Sequence, residues 1–232
     1  MSKLKQGIGI VTWYGGEESF LTLINSIPVS CPYPICIVVN GSDKAGWVDE
    51  WTSTYGRDNA LLVKVPYDGY ELGAIKIILE VTDWDEFIFL QDTIEIIDPS
   101  IFKKLFDDFP GESVCYNGVF QMYLGKFRRE VLEQMEFPLI ENKLAAIMHE
   151  YEFAKAYSDI DSPRVFNPLF NDEVFIHDPD NYEQRWGRLN LVLRDNYIIK
   201  RKGSWTREHI DKIASDLGAI WEGRTDPLIR TK

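Results

Sequence analysis

Asp85-Glu86-Phe87-Ile88-Phe89-Leu90-Gln91-Asp92-Thr93-Ile94-Glu95-Ile96 carries the pattern around which the other segments fall into order. Its apolar run from Phe87 to Leu90 is bounded by acids on one side and by Gln91, Asp92 and Thr93 on the other, the pattern of a buried strand. One carboxylate flanked by two neutral polar side chains therefore stands at the strand's carboxyl end. Open α/β sheets bind ligands beyond the carboxyl ends of their strands. An aspartate placed there can hold a divalent cation against a phosphate. The same residues also suit a plain turn capped by Asp92. The neighbouring segments decide between the two.

Working outward toward the N-terminus, Tyr70 to Thr82 reads as a helix with Leu72, Ile75, Ile78 and Leu79 facing inward, and Leu61 to Val65 as a strand stopped by Pro66. Gly46 to Tyr55 reads as a short helix. Ile35-Cys36-Ile37-Val38-Val39-Asn40 is a strand apolar throughout, as expected of a position buried on both faces. Gly7 to Trp13 is the first strand. It leads through Gly15-Gly16, which permits close approach of the backbone to a ligand, into a helix from Glu17 to Ile27. Neither a G-x-G-x-x-G pattern nor a Walker lysine follows that strand, which removes support for a redox dinucleotide or a P-loop nucleotide.

Downstream, Asp98-Pro99 opens a helix through Phe106. Strands and helices alternating in this way predict an α/β fold with a mostly parallel central sheet flanked by helices. After Pro110 the rhythm changes. Ser113 to Tyr123 reads as one or two antiparallel strands, Lys126 to Met135 as a short helix, and Glu141 to Tyr157 as a longer helix with Leu144, Ile147, Met148 and Tyr151 on its inward stripe. Val174 to His177 reads as a short strand and Thr206 to Trp221 as a terminal amphipathic helix. The whole chain, 1–232, reads as one domain with a C-terminal elaboration.

Net charge is −12, which gives the chain no general attraction to nucleic acid or to anionic membranes. The charge is uneven. Arg185 to Arg207 carries +6, with Asp195 its only acid, leaving −18 elsewhere, a contrast that points to a compact anionic ligand. Cys31, Cys36 and Cys115 lack metal-ligand spacing and read as free thiols of a reducing compartment. No membrane span or signal peptide is visible, so a cytoplasmic protein is expected.

The order of these pieces resembles the GT-A (Rossmann-like) fold of glycosyltransferases, over about residues 7 to 157 and more weakly beyond. Ile10-Val11-Thr12-Trp13-Tyr14 looks like the nucleotide-binding start of that fold, and Val38-Val39-Asn40-Gly41-Ser42-Asp43 like the strand ending that meets base or ribose. Leu72-Gly73-Ala74 resembles the helix that leads into the metal strand. Gln91-Asp92-Thr93 stands where the family has its D-x-D motif, with only the middle position acidic.

The resemblance implies a nucleotide-sugar donor, with UDP the usual carrier, bound in about the first 110 residues. An acceptor half of about residues 111–180 and the basic tail would follow. It implies contacts to the donor from Thr12, Tyr14, Asn40, Asp43, Gly73, Gln91, Asp92 and Thr93. Arg188, Lys200, Lys202 and Trp205 are candidates from the basic segment, with Tyr197 as a packing partner. Asp92, with His177 as a second ligand, would hold Mn2+ or Mg2+. Glu150 would be the base of an inverting reaction, with Glu152 across the helix as its comparison. Three other readings stand beside this one: a sugar nucleotidyltransferase, a non-catalytic nucleotide- or sugar-binding module, and a transferase whose acceptor is modified DNA. Thr12 to Glu18 lacks the basic loop a nucleotidyltransferase would want.

Overall fold

The structure is a computed structural model and describes residues 4–116, 124–140, 143–167 and 191–202. In chain order the elements are β1 (Gln6–Trp13), α1 (Glu17–Ser26), β2 (Ile35–Asn40), a 3-10 turn (Ser42–Lys44), α2 (Gly46–Tyr55), β3 (Ala60–Val65), α3 (Tyr70–Val81) and β4 (Glu86–Gln91). There follow β5 (Ile94–Ile96), α4 (Ser100–Asp107), β6 (Val114–Cys115), β7 (Leu124–Arg128), α5 (Arg129–Leu132), α6 (Lys143–Ile160), β8 (Arg164–Val165), β9 (Leu191–Arg194) and β10 (Ile198–Lys202).

Seven strands form the main sheet in the order β3-β2-β1-β4-β7-β6-β8. The four strands β3, β2, β1 and β4 run parallel, β7 is antiparallel to both β4 and β6, and β8 pairs parallel with β6. Successive side chains of a strand point to opposite faces. Ile8, Ile10, Ile37, Val39, Ile88 and Leu90 thus pack against α1, α2 and α4 through Phe20, Leu23, Trp51, Phe102 and Phe106. Their neighbours Val11, Cys36, Val38, Phe87 and Phe89 meet α3, α5 and α6 through Leu72, Ile75, Ile78, Val131, Phe153 and Tyr157. Both faces are covered, which is why β2 and β4 read as unbroken apolar runs. The expected mostly parallel sheet between helical layers is the architecture observed.

Three local expectations change. Lys126 to Met135 is not one helix: Leu124–Arg128 is strand β7, and only Arg129–Leu132 is helical. The reason lies far along the chain. Lys126 is fully buried, and its ammonium pairs with the equally buried Glu86 at 3.0 Å, across the β4–β7 ladder. Burial lowers the Lys126 pKa, and the Glu86 charge opposes that shift. Secondly, α6 is turned relative to the expected stripe. Ala146, Phe153 and Tyr157 are buried, whereas Met148 and Tyr151 are exposed, Tyr151 by 60%. Thirdly, β5, β10 and β9 form a separate antiparallel sheet that the sequence did not announce.

The expected strand at Val174–His177 and the terminal helix from Thr206 to Trp221 lie outside the described residues. Among the described residues, no helix is long and apolar enough to cross a membrane.

Candidate functional site

The chain steps outward from β1 through β2 to β3, then returns to the other side of β1 as β4. The β1/β4 junction is therefore the topological switch point, where open α/β sheets form a crevice at their carboxyl ends. Val11 lies opposite Gln91 in this pair. One residue on, the Asp92 amide donates to the Val11 carbonyl at 3.0 Å. The Thr12 hydroxyl donates to Asp92 Oδ2 at 2.8 Å, and both side chains are buried. Facing them is Gly16, at the entry to α1. A Cβ there would stand 2.4 Å from Asp92 Oδ2 and 2.7 Å from Thr12 Oγ1. Glycine is thus required by the close approach of the α1 entrance to the carboxylate.

The two neutral neighbours of Asp92 are held differently. Gln91 Nε2 donates to Glu71, in the first turn of α3, so the amide oxygen faces the other way. That oxygen accepts from Lys200 Nζ at 2.6 Å, and the same ammonium donates to the Thr93 hydroxyl. Lys200 is 6% exposed. It reaches the triplet because β10 pairs antiparallel with β5, which follows Thr93 directly, placing Lys200 opposite Ile94.

The β9–β10 turn is anchored by Asp195, the one acid of the basic segment. Its carboxylate accepts from the amides of Tyr197 and Ile198 at 2.8 and 2.9 Å, from Asn167 at 2.7 Å and from the Tyr116 hydroxyl. Tyr197 packs on Phe166, with ring centroids 5.3 Å apart.

Around this centre, Tyr14 lies half-buried, edge-on to Trp13 and under the Lys44 ammonium at 5.1 Å from its ring centroid. Asn40, at the end of β2, accepts from the Gly69 amide at 3.3 Å and donates to the Tyr70 carbonyl at 3.2 Å. It thereby holds the turn in which Tyr70 has φ of 50°, an uncommon value for a residue with a side chain. Asp43 is exposed in the 3-10 turn. Gly73 sits one turn into α3, where a Cβ would meet nothing within 4 Å.

Glu150 is carried by a different element. It lies on α6 between the buried Ala146 and Phe153, and its Oε1 is buried. Glu152 instead points outward, 67% exposed, against His149 at 3.2 Å. The structure thus separates two glutamates that the helical wheel had placed symmetrically. Lys202 closes β10, while Arg188, His177 and Trp205 lie outside the described residues.

Of the expected donor residues, the structure brings Thr12, Gln91, Asp92, Thr93 and Lys200 together, with Tyr14, Asn40 and Gly73 on adjoining segments. Sequence reading missed Glu71. Its one local signal was an acid in the first turn of a helix, where the helix dipole favours negative charge.

Solved structures share this fold. The mannosyltransferase PcManGT from Pyrobaculum calidifontis, in complex with GDP-Man and Mn2+, superposes with a TM-score of 0.54 at 12% identity, over 72% of this chain and 56% of that one. TarS 1–349 of S. aureus in complex with UDP-GlcNAc gives a TM-score of 0.53 at 11% identity, over 69% of this chain and 55% of that one. The chain has the GT-A fold. It spans about half the length of these two glycosyltransferases. No protein-family model matches the sequence, and no curated protein matches it.

A GT-A glycosyltransferase with D-x-D chemistry needs hard oxygen ligands for a dication, with carboxylates foremost. Here the outer positions of the triplet are a neutral amide and a hydroxyl, both turned to an ammonium. The one carboxylate accepts from Thr12 and abuts Gly16. Among the described residues no group of three or more His, Cys, Asp or Glu could hold a metal ion. A dication at the triplet would also stand beside the positive charge of Lys200, where like charges repel. The described residues do not fit a divalent-ion site.

Proposed function

We propose that the chain is a glycosyltransferase that moves a sugar from a nucleotide-sugar donor, UDP-linked in the first instance, to an acceptor hydroxyl with inversion. The observation that carries this reading is the constellation at the switch point of a GT-A fold. There Asp92 is fixed by Thr12, glycine leaves room at the α1 entrance, and a buried lysine sits on the flanking residues. In this reading Tyr14, Asn40 and Asp43 border the base and ribose, and Gly73 leaves open space beside α3 for the donor. About the first 110 residues serve the donor, and those that follow serve the acceptor.

In the transfer step the acceptor oxygen forms a bond to the anomeric carbon as the bond from that carbon to the diphosphate oxygen breaks. The electron pair leaves with the diphosphate, and the acceptor proton passes to the carboxylate of Glu150. A hydroxyl is a weak nucleophile until its proton is leaving, and a base within hydrogen-bond reach lowers that barrier. Binding energy from the nucleotide, remote from the reacting carbon, orients the sugar for attack. No step in this reading runs through a divalent ion.

The test is a panel of UDP- and GDP-sugars scored by thermal stabilisation and by release of the nucleoside diphosphate. A ligand that binds only the folded chain raises its melting temperature with its occupancy. Stabilisation by one donor class together with its turnover supports the reading. Stabilisation with no turnover across a broad acceptor set favours a binding module, to which the neutral residues Gln91 and Thr93 otherwise lend weight.

A further inference from the structure

We propose that Lys200 supplies the positive charge that meets the leaving diphosphate, in place of a divalent metal, and that Gln91 and Thr93 are the residues that hold its ammonium for that task. The inference rests on the glycosyltransferase reading above and names the cation of that same site.

Three observations carry it. Lys200, on β10, is a buried lysine whose Nζ touches the side chains of both outer residues of the triplet that follows β4, where the fold family would hold metal. A burial of this kind is costly for an ammonium unless polar groups receive it. Secondly, Gln91 is not a passive remnant of an acid. Its Nε2 donates to Glu71, and its oxygen accepts from Lys200 at 2.6 Å. Only an amide can do both, because a carboxylate at this position has no hydrogen to give and would face the Glu71 carboxylate. The side chain therefore links a buried acid to a buried base with one orientation. Thirdly, the ammonium is delivered by pairing of β10 with β5, the strand that starts one residue after Thr93, so its position is set by backbone hydrogen bonds and not by a mobile side chain alone.

The present partners of Lys200 include a neutral amide oxygen and a neutral hydroxyl. The ammonium already makes charge-assisted bonds to these neutral acceptors, and an ionised phosphate oxygen adds to such a bond a charge–charge attraction that neither of them supplies. A diphosphate oxygen arriving at the switch point can thus displace either partner, or join them, with a gain. As the bond from anomeric carbon to oxygen breaks, negative charge grows on the diphosphate, and a fixed cation in a water-poor site stabilises that growth without reorganising. Asp92, held by Thr12, is left to position the donor and not to ligate metal.

The experiment is titration calorimetry of UDP and of GDP with the whole chain, once with EDTA and once with Mn2+. The proposal expects binding in EDTA with an affinity within about threefold of that in Mn2+, and a loss of at least about tenfold in Lys200→Met under both conditions. A thermal melt of the variant establishes that it folds. If it does not, the comparison of the two conditions on the unaltered chain decides alone. Binding that requires Mn2+, or full affinity in a folded Lys200→Met, overturns the proposal and leaves the nucleotide-sugar reading standing. Absence of binding by either nucleotide in either condition overturns that reading and this proposal with it.

Discussion

Replacing Gly16 by alanine tests the geometry of the switch point with a single methyl group. Gly16 has φ −96° and ψ 16°, values open to alanine, so backbone strain does not enter. Fewer unfolded conformations should by themselves stabilise the alanine variant by about 0.4–1 kcal/mol. Against this, the new Cβ would stand 2.4 Å from Asp92 Oδ2, 2.7 Å from Thr12 Oγ1 and 2.8 Å from Trp13 Cδ1. Non-bonded carbon contacts settle near 3.5–4 Å, so the carboxylate must retreat by roughly 1 Å. The 2.8 Å bond from Thr12 lies in its path and breaks, leaving buried groups unsatisfied at a cost of about 1–3 kcal/mol.

The net expectation for Gly16→Ala is a destabilisation of up to about 2.6 kcal/mol, or a drop in Tm of up to roughly 10 °C at this chain length. Gly73→Ala is the internal comparison. Its Cβ meets nothing within 4 Å and it lies inside a helix, so that variant should gain about 0.5–1 kcal/mol. In the donor reading it should nonetheless bind nucleotide sugar more weakly, because the methyl enters the donor's space. Urea unfolding and a thermal melt of both variants give the two signs. A Gly16→Ala protein more stable than the wild type, as Gly73→Ala should be, would refute the close approach on which the site is built.

Two further substitutions reach other parts of the structure. Lys126→Met leaves Glu86 buried with, among the described residues, the Gln6 side chain and the Gly111 amide to donate to it, and should cost about 3 kcal/mol in urea unfolding; adding Glu86→Gln should recover most of that, and an unaltered midpoint for the single variant would exclude the buried pair. Glu150→Gln should leave donor affinity nearly unchanged while lowering turnover by at least about a hundredfold, with Glu152→Gln close to wild type; full transfer activity in Glu150→Gln would remove that residue from the mechanism.

The sequence by itself determined the elements whose pattern is local. The unbroken apolar runs of β2 and β4 and the inward spacing of α3 are consequences of which faces are covered, and each can be read within a dozen residues. It also placed the candidate site, because a polar triplet after a buried strand marks the sheet's carboxyl edge wherever the strand lies. The residues that tertiary structure alone decided are those whose state depends on a distant partner. Lys126 reads as helix surface until Glu86, 40 residues away, takes its charge and makes the segment a strand. Met148 and Tyr151 read as core, yet the helix turns Phe153 and Tyr157 inward because the cluster on β4 and α3 fits those rings. Lys200 reads as one charge in a basic run, and only the antiparallel pairing of β10 with β5 brings it to Gln91, 109 residues earlier. Periodicity records which side of an element is buried. It carries no record of what waits there, since a hydrogen bond or an ion pair is set by distance in space and leaves no repeat along the chain.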